Sequence, residues 1–347
     1  MDKNKIILIT DKNDFYGQTR KPWVPLKLDL FINKLNELGF EVKKYNYDEI
    51  SLNINSIKNE IIYYVFSQKS HTREFIKSII FQLSKNNIVI PNYNMLLCHE
   101  DKAYQELYKT ELGIKSLQAY YLNDINTIKK LNIKYPIIFK TIDGSNGDGV
   151  FLCKNESELL NKYNEINKLP LKIKLDLFRR KYLRSEKKYD YYNDYNNKTD
   201  YEQFKQHSEN NKQILLQEFI PNLKYDYRVL VIYDKYFVMK RMTKDGDFRA
   251  SGSKKFVIED KVDFGLLDFA KSIFTNFNSP FLSMDIIEGD DKYYLIEYQA
   301  SHFGVSAIVR NNKYYYDNEG WNFSKDIMSV EEELAEGLGK YLNNMVI

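Results

Sequence analysis

The chain has 347 residues, 43% of them hydrophobic and 15% aromatic. Those are globular values over a length that suits two or three subdomains, and they exclude disorder as a reading of the whole. With 51 Lys and Arg against 48 Asp and Glu, the net charge is only +3, which gives no support for a nucleic-acid or membrane-surface partner.

The first ten residues are two lysines and a short apolar run that meets Asp11 at once. That pattern predicts a first strand, Ile6–Ile9, and neither a signal peptide nor a membrane span. Leu26–Leu38 carries apolar residues at helical spacing and closes at Gly39. Val42–Tyr45, Ile61–Phe66 and Ile88–Ile90 read as further strands, with a helix near Arg73–Leu83 between the last two. Strands alternating with helices predict a small parallel sheet with crossovers, closed by Pro91-Asn92. The only cysteines, Cys98 and Cys153, show no metal-ligand spacing and no disulfide framework, which suits a reducing cytoplasm.

A helix is expected from about Asp101 to Leu112, and then a strand, Ile137–Lys140, that feeds a glycine-broken loop, Lys140 to Val150 (KTIDGSNGDGV). Gly144, Gly147 and Gly149 allow tight turns that bring backbone N–H groups against phosphate oxygens, and Lys140 can meet α/β-phosphates. Leu177 to Asn211 lacks clean periodicity. It begins basic (Arg179, Arg180, Lys181, Arg184, Lys187, Lys188) and reads as an insertion, mobile in part. Placed where it is, its cations could reach an anionic substrate.

Gln217-Glu218-Phe219-Ile220 follows, a strand-like linker of the kind that offers adenine an apolar slot and a backbone donor and acceptor. In Tyr-Asp-Tyr-Arg-Val-Leu-Val-Ile, alternation sets Asp226 and Arg228 on the face opposite Tyr225 and Tyr227. Asp226 could accept from ribose hydroxyls, and Arg228 could pair with a phosphate or a carboxylate. Asp285, Glu297 and Gln299 lie in apolar strand-like sequence. Glu297 and Gln299, two apart, share a face, an arrangement of hard oxygen donors suited to Mg²⁺. Further strands are expected at Arg228–Ile232, Tyr236–Met239 and Tyr293–Glu297, and a last helix near Val330–Leu342. Of four histidines, only His302, just past the metal strand, is a site candidate. A P-loop or a dinucleotide fingerprint is lacking.

In this order the motifs resemble the ATP-grasp superfamily, closest to its ribosomal-protein glutamate ligase and glutathione synthetase branch. The resemblance runs from about Asp101 to the C-terminus. It matches Asp101-Lys102 to the Asp-Lys ahead of the first lobe, Lys140 to an ATP-contacting lysine, Glu218-Phe219 to the adenine hinge and Asp226 to the ribose acceptor. Arg241 with Asp247-Phe248-Arg249 matches the segment against the phosphates and the reacting carboxylate, and Asp285, Glu297 and Gln299 match the metal triad. Three departures stand out: Gln299 replaces the usual Asn, Ala-Ser-Gly-Ser-Lys-Lys after Arg249 lacks the usual Ser-Asn and glycine pair, and the basic Tyr-rich insertion has no counterpart in the compact members.

The resemblance implies an α/β and α+β ATP-grasp fold. It would comprise an N-terminal parallel α/β domain at 1–95, one lobe at 96–214 with the insertion at 177–211, and a second at 215–347, the two lobes clasping ATP. It implies a cytoplasmic ligase that uses ATP and one or two Mg²⁺ ions (or Mn²⁺) to join a small-molecule carboxylate, such as an amino acid or sugar-acid derivative, to an amine through an acyl phosphate. Arg241 and Arg249 would act on the reacting groups. A homo-oligomer stays open, as do two rival functions, a small-molecule kinase and a non-catalytic ATP-binding regulator.

Overall fold

A computed structural model describes residues 2–17, 24–65, 69–142, 149–186, 195–209, 211–250, 252–290 and 292–345. The first four strands, β1 (Lys5–Thr10), β2 (Glu41–Asn46), β3 (Ile61–Tyr64) and β4 (Ile88–Ile90), form a parallel sheet in the order β2-β1-β3-β4. Near-continuous apolar runs suit a sheet covered on both faces. Ile6, Leu8, Ile61 and Tyr63 enter one core with Phe31 and Leu35 of the helix Leu28–Glu37. The alternate residues Ile7, Ile9, Ile62 and Tyr64 enter a second core with Ile76, Ile80 and Leu83 of the helix Ser70–Leu83.

Two compact units divide the chain: Met1–Leu117 with Ser145–Gly147 and Ile220–Ile347, and Gln118–Gly144 with Asp148–Phe219. The first unit holds the parallel sheet and a larger antiparallel sheet. Its strands, which follow the four of the second unit in chain numbering, are β9 (Tyr225–Ile232), β10 (Lys235–Met242), β11 (Phe256–Val257), β12 (Phe281–Gly289), β13 (Lys292–Gln299), β14 (Tyr314–Asp317) and β15 (Trp321–Ser324). They run β13-β12-β9-β10-β14-β15, with β11 on β10.

Leu230, Ile232, Phe237, Met239 and Phe281 project from one face into the same core as Ile6 and Leu8, joined by Leu334, Leu338 and Leu342 of the helix Val330–Asn344. Burying each such side chain stabilises by about 2 kcal/mol. The C-terminal helix lies so close to β9 that a Cβ on Gly337 would fall 2.4 Å from Ile232 Cγ2. Beneath it, Lys235 Nζ donates to Glu333 at 2.7 Å, and Glu333 is fully buried. The opposite face packs on the helix Phe264–Phe277 through Leu266, Leu267, Ala270 and Phe277. The helix Lys102–Glu111 is fixed to β13 by Lys109 Nζ, which donates to Leu295 O at 3.1 Å and Glu106 at 2.7 Å.

The second unit is an antiparallel sheet, β5 (Ala119–Leu122), β6 (Ile137–Thr141), β7 (Val150–Cys153) and β8 (Ile214–Glu218), ordered β5-β8-β6-β7. Ile137, Phe139, Ile214 and Leu216 form its core with Leu159 and Tyr163 of the helix Glu156–Ile166.

The insertion departs from the irregular segment expected of it. Its described parts are a helix Leu171–Phe178 that runs on as a π-turn, Arg179–Leu183, and a capped helix Asn197–Ser208. The cause is charge pairing. Asp176 accepts from Arg179 at 2.6 Å and Arg180 at 2.9 Å, and Asp200 accepts from Arg180 at 2.8 Å and from Arg184. The Arg180 guanidinium also lies 3.8 Å from the Phe204 ring centre. Arg179, Arg180 and Arg184, whose charges could reach an anionic substrate in the sequence reading, are therefore paired with Asp176 and Asp200. Lys187 and Lys188 lie outside the described residues.

Candidate active site

In the first unit, the register of three antiparallel pairs decides which polar side chains meet. Asp226 on β9 stands opposite Arg241 on β10, Arg228 on β9 opposite Asp285 on β12, and Asp285 opposite Glu297 on β13. Directly opposed residues in an antiparallel pair share a face, and residues two apart on one strand do as well. The polar set therefore occupies the face whose continuation, Leu230 and Met239, is core, while Tyr227 and Val229 go to the other side. Gln299 pairs with Ser283 and shares the face of Glu297.

Arg241 makes a two-pronged pair with Asp226, Nε to Oδ1 at 2.6 Å and Nη2 to Oδ2 at 2.7 Å, and its Nη2 is also 2.8 Å from Asp285 Oδ2. Arg228 closes on Asp285 the same way, at 2.9 and 3.1 Å. Two guanidinium groups and two carboxylates thus form one chain, and Arg241, Asp226 and Asp285 are all buried. Burial opposes the Asp285 charge, but Arg228 and Arg241 outweigh it and hold the carboxyl at about 2. Burial lifts the Asp226 carboxyl against the pull of Arg241. Burial likewise works against the charge on Arg241, yet Asp285 and Asp226 together hold it more firmly protonated than usual. Both oxygens of Asp226 accept from Arg241, so the side chain expected as an open ribose acceptor is here the clamp that orients a cation.

Asp285, Glu297 and Gln299 offer two carboxylates and an amide oxygen from adjacent strands, a hard all-oxygen set that fits Mg²⁺ or Mn²⁺ in donor chemistry. Among the described residues no group of three or more His, Cys, Asp and Glu is poised to hold a metal. Arg249 is fastened to Asp247, with Nε to Oδ1 and Nη2 to Oδ2 both at 2.9 Å. Lys102 is buried at the start of the helix that Asp101 caps by accepting from Tyr104 N at 2.8 Å. His302 is buried, with φ +53°, and its ring lies 5.8 Å from that of His99.

The second unit holds the remaining candidates. Lys140 is buried on β6 and donates to Gln217 Oε1 on β8 at 2.6 Å. Gly149 has φ +74°, and a Cβ there would lie 2.0 Å from Thr141 Oγ1, so only glycine suits the place where the loop rejoins β7. Gly144 and Gly147 lie outside the described residues. Glu218 ends β8, and its N–H donates to Gln118 O at 2.8 Å. The chain passes from the second unit to the first between Phe219 and Ile220, within the stretch expected to serve as a hinge. Sequence reasoning missed Gln217 as the partner of Lys140 and missed the doubly held Asp285. Strand alternation gave the faces, but cross-strand register has no signal within a single strand.

A profile of the RimK-like ATP-grasp domain matches residues 76–184 and 197–317. No curated protein matches the chain in sequence. Among solved structures, a D-cycloserine synthetase is similar with a TM-score of 0.54 at 9% identity, over 97% of this chain and 99% of that one. An L-amino acid ligase from Bacillus licheniformis gives 0.53 at 11%, over 100% and 77% of the two chains. An ATP-grasp ligase from Chryseobacterium gregarium, associated with a ribosomal peptide product and solved with ADP and a leader and core peptide, gives 0.52 at 12%, over 99% and 98%.

Proposed function

The chain belongs to the RimK-like ATP-grasp family, and from that membership we infer that it is an ATP-dependent ligase joining a carboxylate to an amine through an acyl phosphate. One observation supports the reading above the others: Asp285 and Glu297 stand opposite each other beside two arginines, with Gln299 on the same face. A carboxylate can approach a polyphosphate only where both charges are offset. In this reading Mg²⁺ or Mn²⁺ held by Asp285, Glu297 and Gln299 would supply that neutralisation when bound.

The chain's own residues do the rest. Asp226 fixes Arg241, so its cationic edge is preset and costs no reorganisation when charge develops. Arg249, oriented by Asp247, serves the reacting carboxylate. Lys140 and the backbone at Gly144, Gly147 and Gly149 meet phosphate oxygens, Lys102 adds a further cation for ATP, and Glu218, Phe219 and Ile220 receive adenine. A carboxylate oxygen bonds to the γ-phosphorus as the bond to the β-phosphate oxygen breaks and ADP leaves. The amine nitrogen then attacks the acyl carbon, phosphate departs, and the nitrogen loses a proton.

This chemistry requires a carboxylate and an amine, and in this reading both are small molecules, amino acids among them. A panel assay of ADP release tests the reading. Release should need a carboxylate and an amine together, and hydroxylamine should yield a hydroxamate. Stoichiometric phosphorylation of one stable substrate without an amine would replace it with a kinase. Nucleotide binding without turnover on any mixture would replace it with a regulatory protein.

A further inference from the structure

A cavity of about 690 Å³ opens in the first unit at the carboxyl ends of β1 and β2, beside the start of the helix Ser70–Leu83. None of the residues discussed above as a site candidate lines it. Its place follows from the strand order. The chain runs from β1 to β2 on one side and later to β3 on the other, so the order reverses beside β1, where open parallel sheets leave a crevice for ligands. The volume is within the range of small-molecule sites.

The lining selects a ligand by charge. Asp11 and Asp48 bring carboxylates, Lys12 and Lys69 bring ammonium groups, His71 adds a titratable ring, and Phe15, Tyr47 and Phe75 form aromatic walls. Among the described residues the Asp11 side chain accepts one hydrogen bond, from Lys12 N at 2.8 Å. The helix Ser70–Leu83 begins at this wall, so a ligand carboxylate would lie toward its first turn and the positive end of the helix dipole. A plain anion would be repelled by Asp11 and Asp48, and a plain cation by the lysines. A molecule carrying both charges a short distance apart, with an apolar body, satisfies every wall.

We propose that this cavity binds a free α-amino acid with an aromatic or large aliphatic side chain. Its ammonium lies toward Asp11 and Asp48, its carboxylate toward Lys12, His71 and the helix start, and its side chain against Phe15 and Phe75. One aromatic wall of the cavity reaches toward the chain that follows β13. The Phe15 ring is 5.9 Å from that of His302, three residues past Gln299. Resting on the ligase reading, the amino acid bound here is one of the two molecules joined.

Calorimetric titration of the nucleotide-free full chain with L-phenylalanine and L-leucine tests the proposal, alongside N-acetyl-L-phenylalanine and L-phenylalaninamide, each of which lacks one charge. Saturable binding of a free amino acid is expected, weakened about tenfold or more in both blocked forms. Asp11→Asn should bring a similar loss. Because Asp11 also caps the turn after β1, the exposed positions His71→Ala and Phe75→Ala provide variants expected to fold normally and bind more weakly. Absence of saturable binding at millimolar concentration, equal binding of the blocked forms, or unaltered binding in both exposed variants would overturn it. The ligase reading fails separately: binding without ADP release on any substrate pair sinks that reading and leaves the amino-acid site, whereas ADP release from substrates that never compete with L-phenylalanine or L-leucine does the reverse.

Discussion

Replacing Arg241 with Met removes the cation that joins Asp226 to Asp285. The side chains of Arg241 and Asp226 are 5% and 8% exposed, and both Asp226 oxygens lose the Arg241 guanidinium, while Asp285 keeps its bonds to Arg228. Breaking a buried pair by removing one member costs roughly 3–5 kcal/mol, because the other charge stays buried without compensation. Burial already lifts the Asp226 carboxyl, so that group can relieve part of the loss by taking up a proton, which favours the lower end, about 3 kcal/mol. With a urea slope of about 3 kcal/mol per molar, the midpoint should fall by about 1 M. Tryptophan fluorescence can follow it, since Trp321 packs edge-on against Tyr236 at 5.0 Å in the same unit. Adding Asp226→Asn to Arg241→Met removes the stranded charge and should recover a good part of the stability. A midpoint within about 0.2 M of the parent, or a double variant no better than the single, would refute the reasoning.

Glu297→Ala should lower ADP release by roughly a thousandfold while nucleotide binding stays measurable, and Gln299→Asn should be tolerated; titration calorimetry beside a turnover assay checks both. Gly149→Ala should cost about 1–3 kcal/mol, read as a lower melting temperature, because φ +74° and Thr141 Oγ1 both oppose a side chain there. Lys235→Met should destabilise by about 3 kcal/mol in urea unfolding, since Glu333 beneath it is fully buried. Burial pushes the Cys98 thiol up to about 12 and the Cys153 thiol up to about 11. Thiolate is the reactive form, so at pH 8 both should resist iodoacetamide in the folded chain and label readily in urea, as mass spectrometry would show.

Much of this architecture was legible in single strands. The run Tyr225–Ile232 announced its two faces by alternation, and Asp226 and Arg228 do lie opposite Tyr227 and Val229. The alternation of strands with helices in the first 90 residues likewise predicted a small parallel sheet with crossovers, and β4 is bounded as the sequence indicates. What stayed hidden depends on contacts between distant segments. That Asp285 is held by arginines from two other strands follows from register, which hydrophobic pattern alone leaves open when both faces are largely buried. The helices around Arg180 escaped notice because Asp176 and Asp200, which tie them together, are separated by 24 positions of tyrosine- and asparagine-rich sequence that lacks an apolar stripe. The amino-acid cavity was hidden for a related reason: Asp11, Asp48 and His71 form no motif, and they come from the turn after β1 and the first turns of two separate helices.

An isotope follows the acyl phosphate directly. With a substrate carboxylate labelled with ¹⁸O, attack on the γ-phosphorus carries one labelled oxygen into the phosphate released when the amine displaces it. Mass spectrometry of the inorganic phosphate should therefore show one ¹⁸O per turnover, and only when amine is present. Phosphate free of label during amide formation, or label retained in a stable phosphorylated substrate, would contradict the account.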